Sequence, residues 1–130
     1  MTRYKFSERS EVFCQEIFEQ MMITSPAIYG VLISTVDGHD VTRSFHKDMP
    51  AAKLSAMMSS MLALGETIAV EARQRQCRYV IVENSDGYIL TLKIKDKLVL
   101  SVIATTDANL GILHSVSRKA AEKLTPYVNG

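Results

Sequence analysis

Polar residues open the chain, and Phe13, Ile17, Phe18, Met21 and Met22 then recur at three-to-four spacing, which predicts a helix capped by Ser7 or Ser10. Pro26 ends it, because the residue before a proline avoids helical geometry. The run 30–36 is short and β-branched, meets Asp37 and Gly38, and is followed by alternation over 41–45. That pattern predicts a hairpin, since glycine takes the positive φ a tight turn demands. Pro50 suits the first turn of a second helix reaching about Arg75. Three further runs, 79–82, 88–94 and 98–103, are separated by the short turns 85–87 and 95–97. Turns that short leave no room for crossovers, so the three form an antiparallel meander. Asp107 or Asn109 starts a last helix with Leu110, Leu113, Val116, Ala120, Ala121 and Leu124 on one face, and Pro126 closes it. The order is α-β-β-α-β-β-β-α, an α+β fold with a five-stranded antiparallel sheet and helices on both faces.

The second helix carries the most information. Leu54, Met58, Met61, Leu62, Gly65, Ile68 and Ala72 trace a stripe, and Ala56, Met57 and Leu64 widen it. Only Lys53, Ser55, Ser59 and Ser60 interrupt the apolar surface in the first half. A surface helix normally keeps a charged, wet face. One face suffices to cover a sheet, so the excess predicts a second partner. A copy of the same chain is expected first, because two-fold homodimers are the commonest assemblies. Met57, Met58 and Met61 would give that contact an adaptable surface, and Met61→Asp is expected to split or unfold the dimer. Arg73, Arg75 and Arg78 gather where the helix ends, which complements its negative dipole end.

With 130 residues and 14.5 kDa, one domain over 1–130 is expected, with its core at about 9–125. A hydrophobic fraction of 47% fills such a core without disulfides or a structural metal, and a net charge of +1 argues against a nucleic-acid or membrane-surface protein. Cys14 and Cys77 read as free thiols in a reducing compartment. No apolar run approaches the roughly 20 residues of a membrane span, and 1–9 lacks the apolar core of a signal peptide. The expected location is the cytoplasm, with no membrane insertion.

Candidate chemistry is sparse. There is no phosphate-binding glycine loop, no Cys-x-x-Cys, no His-Glu-x-x-His and no nucleophile elbow. Asp37, His39, Asp40 and His46 gather around the first hairpin, but neighbours on a strand alternate faces and no ligand spacing recurs, so they read as solvated residues. His114 and Ser115 are adjacent on a helix and point about 100° apart, which prevents them from acting as base and nucleophile together. Lys93, Lys95 and Lys97 lack the interleaved aromatics of a nucleic-acid surface and read as a solvated hairpin tip. The expectation is a protein that is not an enzyme and that uses no cofactor or metal.

The ordered whole, from the run 30–38 through the Ala/Met/Leu-rich helix, the strands at 79–82, 88–92 and 98–104, and Asn109-Leu110-Gly111 at the last helix, resembles the roadblock/LC7 family over about residues 9–124. The resemblance implies a profilin-like sheet with one helix on one face and two on the other. It also implies homo- or heterodimers in which the third strands pair edge to edge and the second helices lie side by side. On this chain the interface would be Leu54, Met57, Met58, Met61, Leu64 and Ile68 with Tyr79, Val80, Ile81 and Val82. Members of the family act as non-enzymatic platforms that bind small Ras-like GTPases, some promoting GTP hydrolysis, or that assemble motor and scaffold complexes. A bacterial branch regulating a polarity GTPase is the nearest analogue. The GTPase would dock on the paired-helix side, with Lys53, Ser60, Arg73 and Arg75 as candidate contacts. His39-Asp40 and the 93–97 turn depart from the family pattern on surfaces that would set partner identity. A small-molecule sensor or a passive scaffold without a GTPase is the alternative reading.

Overall fold

The computed structural model describes residues 6–127; the two ends of the expected 1–130 domain, with most of the stretch 1–9 read above for a signal peptide, lie outside the described residues. Helix α1 (Glu8–Thr24) is followed by strands β1 (Ile28–Thr35) and β2 (Asp40–Phe45), helix α2 (Ala51–Glu71), strands β3 (Tyr79–Asn84), β4 (Gly87–Ile94) and β5 (Leu98–Thr105), and helix α3 (Leu110–Leu124). A 3-10 turn over Thr125–Tyr127 ends the described chain. The five strands form one antiparallel sheet in the order β2-β1-β5-β4-β3. The expected element order and fold class are thus both observed.

Local chemistry explains the boundaries. Ser7 caps α1 by accepting from the Ser10 amide at 3.2 Å, and Asn109 caps α3 by accepting from the Ile112 amide at 3.1 Å. Pro50 stands as the cap residue before α2 and not within its first turn; its carbonyl accepts from the Leu54 amide at 3.0 Å. The first hairpin closes over Gly38 at φ +96°, as the Asp-Gly pair predicts. Its register shifts between Ile33 and Ser34, a bulge in which Val41 is the extra residue of β2.

Strand alternation divides the sheet into two unlike faces. On one face Val31, Ile33, Leu90, Leu92, Leu98, Leu100 and Val102 meet Cys14, Ile17, Phe18, Met21 and Met22 of α1 and Leu113, Ala120, Ala121 and Leu124 of α3. This is the hydrophobic core. Leu110, expected on that inner face, is instead 40% exposed because it lies on the first residue of α3, past the sheet.

The opposite face, covered by α2, mixes hydroxyls with the buried Leu32, Val99 and Ile103. Ser59 Oγ donates to the Thr35 carbonyl at 2.8 Å and lies 3.4 Å from Ser34 Oγ. Thr91 Oγ1 lies 3.2 Å from Ser101 Oγ and 3.6 Å from Met58 Sδ. Ser55 is fully buried in the same helix, and its hydroxyl has no hydrogen-bond partner among the described residues. The serines at 55 and 59, expected to break the outer surface of α2, therefore seat it on the sheet. Their small side chains allow close approach, and the hydroxyl of Ser59 ties the helix to β1.

Candidate interaction surface

Ser55 and Ser59 share the inner face of α2 with Met58 and Leu62, and a second set of large apolar residues points outward. At about 100° per residue, Met57, Met61, Leu64 and Ile68 fall in one sector about 60° wide, about 140° from the mean direction of the buried Ser55, Met58, Ser59 and Leu62. Met57, Leu64 and Ile68 are 57–60% exposed, and Met61 is half-buried. Met58, expected with them, is corrected to the inner face: it is 7% exposed and its sulfur contacts Thr91. The stripe read along the sequence thus divides, with Met58, Leu62 and Ala69 inward and Met57, Met61, Leu64 and Ile68 outward. Leu54 lies half-buried at the helix's first turns.

Strand β3 adjoins this stripe. It is an edge of the sheet, paired only with β4, so one side of its backbone has no partner within the sheet. Tyr79 and Ile81 are exposed on the α1/α3 side, where the Tyr79 ring packs on His114 at a centroid distance of 4.3 Å. Val80 and Val82 are half-buried and alternate to the α2 side. Gly65 sets how closely the helix meets the strand: a Cβ there would stand 2.9 Å from Cys77 Sγ and 3.1 Å from Val80 Cγ2. That contact keeps the outer stripe of α2 and the edge of β3 on one continuous surface.

A polar junction, invisible in the linear pattern, locks these pieces together. Glu66 Oε1 pairs with Lys93 Nζ at 3.1 Å, and Oε2 accepts from the Cys77 amide at 3.3 Å. The Lys93 hydrogen bond, then the Cys77 amide, hold the Glu66 carboxyl below the usual range. Burial, with the Glu66 charge beside it, pushes the Cys77 thiol up. Lys93 therefore belongs to the α2 side, apart from the exposed Lys95 and Lys97 of the turn. The only signal for this in the sequence is Lys93's place in strand alternation, which does not reveal the carboxylate.

The four candidate partner contacts do not converge. Lys53 and Ser60 are exposed on the first half of α2, whereas Arg73 and Arg75 lie beyond its far end, with Lys53 and Arg73 on the order of 30 Å apart at 1.5 Å per residue. The expected dipole role of the arginines is corrected, since α2 ends at Glu71 and its last turn holds no basic residue. Instead Arg73 sits at φ 57° where a helix ends: its amide donates to the Val70 carbonyl at 3.0 Å and the Gln74 amide to the Ala69 carbonyl at 2.7 Å. This is the left-handed helix stop usually given to glycine. Arg75 also has positive φ, 79°. Arg73, Arg75 and Arg78 are all exposed, and among the described residues none forms an ion pair.

The first hairpin holds no cluster. His39 Nε2 is 3.9 Å from Asp37 Oδ2 at the tip, Asp40 is 3.7 Å from Arg43, and His46 lies at the other end of β2. Asp37 is held below the usual carboxylate range chiefly by the Thr35 hydroxyl, which donates to it at 2.5 Å. No group of three or more metal-ligating side chains occurs among the described residues, and no helix there is long and apolar enough to cross a membrane.

Residues 15–104 match the family model described as the Roadblock/LC7 domain. A comparison with curated protein sequences finds no match. Among solved structures, one described as MglB with a tetrameric arrangement superposes with a TM-score of 0.89 at 14% identity, covering 98% of this chain and 96% of that one. The gliding protein MglB from Thermus thermophilus gives 0.88 at 13% identity, covering 98% and 97%. Profilin Ib from Acanthamoeba castellanii gives 0.59 at 15% identity over 78% and 87%. At these identities the likeness establishes the fold.

Proposed function

The chain belongs to the Roadblock/LC7 domain family, and from that premise we propose that it is a single domain, with its core at about 9–125, that forms a homodimeric, non-enzymatic platform for a small Ras-like GTPase. One observation carries this reading: the exposed stripe of Met57, Met61, Leu64 and Ile68 runs beside the unpaired edge of β3. Water-exposed apolar side chains at helical spacing next to open backbone donors and acceptors are what a second copy of the same surface would cover. Edge-to-edge pairing of β3 would extend the sheet across both protomers and set the two α2 helices side by side. The described tetrameric arrangement of a structural neighbour supports self-association.

The partner GTPase would then dock on the paired-helix side. Its hydrolysis would be stimulated by ordering its own switch segments, not by a group this chain supplies. Arg73, Arg75, Lys53 and Ser60 offer exposed polar contacts at the two ends of that surface.

Retention on the tagged protein from native lysate, in parallel with a non-hydrolysable GTP analogue and with GDP, tests this. A small GTPase held mainly in the analogue lane supports the regulator. Equal retention in both lanes points to a passive scaffold, and absence from both, with a folded dimer verified by sedimentation, overturns the GTPase reading.

A further inference from the structure

On the sheet face away from α2, helices α1 and α3 leave an open groove of about 480 Å³ between them. Its floor is closed: Ile17, Met21 and Ala120 are only 3–5% exposed, so nothing beneath can swallow a long alkyl chain. The surface is apolar at one end, where Ile112 is 50% exposed beside the half-buried Val116. At the other end it is cationic, with Lys119 and Lys123 both exposed and lining the groove. Among the described residues no carboxylate lines it and neither lysine forms an ion pair. The α1 wall contributes the neutral Gln20 and Thr24.

We propose that this groove docks an amphipathic helix of a partner protein that carries one large apolar side chain and two carboxylates further along the same face. A shallow trough between two helical ridges suits the side of a third helix. Spacing makes the partner specific. Lys119 and Lys123 lie seven and eleven residues from Ile112, or roughly 10 and 16 Å at 1.5 Å per residue, so carboxylates at i+7 and i+11 from the apolar anchor would meet both ammonium groups. Lysines unpaired among the described residues make the charge requirement acidic. The site is independent of α2 and the β3 edge, so it stays open whether or not the chain dimerises there.

The probes are two 16-residue helical peptides on an Ala/Gln background, one with leucine near its N-terminus and glutamates at i+7 and i+11, and one with that order reversed. Each has a counterpart with lysine in place of both glutamates. Binding is read by methyl NMR on the full chain. A glutamate peptide is expected to shift Ile17, Ile112 and Val116 and to leave Leu64 and Ile68 unmoved. Its lysine counterpart should bind at least tenfold more weakly. Lys119→Glu/Lys123→Glu should reverse that preference, and Ile112→Glu should abolish binding; all three positions are exposed enough for the fold to persist, checked by circular dichroism. Equal binding of acidic and basic peptides, shifts confined to α2, or no shift with either glutamate peptide overturns the proposal. So does a response to phosphatidylglycerol vesicles without one to the peptides.

Discussion

Glu66 joins three segments through one carboxylate, receiving the Lys93 ammonium from β4 and the Cys77 amide that leads into β3. Because its folded-state pKa lies below the ordinary 4.5, its stabilising contribution is complete above that value and fades as pH falls through the folded value. Glu66→Gln should therefore flatten the acid side of the melting-temperature profile. The loss at pH 7 should be about 0.5 kcal/mol, since the pair is partly exposed to solvent; an unchanged profile would show that the pair contributes nothing. Arg73 makes the opposite case. A side chain at φ 57° is held in a conformation that glycine adopts without strain, so Arg73→Gly should stabilise the fold by about 1 kcal/mol. If Arg73 contacts the partner, the same variant should bind the GTPase more weakly while melting higher. A variant that melts higher and binds unchanged would remove Arg73 from the contact set.

At the scale of the element, α2 is apolar on both sides: Met58, Leu62 and Ala69 turn with Ser55 and Ser59 toward the sheet, and Met57, Met61, Leu64 and Ile68 turn away from it. Two substitutions separate its faces. Leu62→Ala, fully buried, should cost about 2–5 kcal/mol by leaving a cavity in every assembly state. Leu64→Asp, 59% exposed in the single chain, should leave the fold intact and convert a dimer to monomers in sedimentation. The half-buried Met61 is less discriminating, because Met61→Asp disturbs both. The boundaries of α2 were nearly legible in the sequence, as were the hairpins, since capping groups, proline and Asp-Gly turns act locally. Which face turned inward was not. Apolar residues all round one helix permit more than one rotation, and the choice depends on what the sheet presents, the hydroxyls of Ser34, Thr91 and Ser101 beside Leu32, Val99 and Ile103 on strands distant in sequence. Met58 turns inward for that reason. The pairing of Glu66 with Lys93 is not legible for a related one, because they are 27 residues apart and only tertiary packing brings them together.

For the whole molecule, asymmetry between the two sheet faces decides how it behaves. The α1/α3 side is a closed hydrocarbon core, whereas α2 meets a mixed surface of hydroxyls and apolar side chains and also presents hydrocarbon outward. If a second copy covers that surface, thermal stability should rise with protein concentration in the native chain and become concentration-independent in Leu64→Asp. Parallel curves for the two proteins would place the stripe outside any self-contact.

The two thiols sit on opposite sides of this asymmetry. Cys14 is fully buried in the hydrocarbon core, and burial, helped by Glu11, pushes its pKa up to about 12, so it stays unreactive while the fold is closed. Cys77 is half-buried against Gly65, where α2 meets the edge strand. The native chain thus carries a silent internal thiol and a reporting one at the seam, without any engineered label. The rate at which a thiol reagent consumes Cys77 would time the opening of that seam, and, if a second copy covers it, the slowing with protein concentration would measure how tightly the two associate.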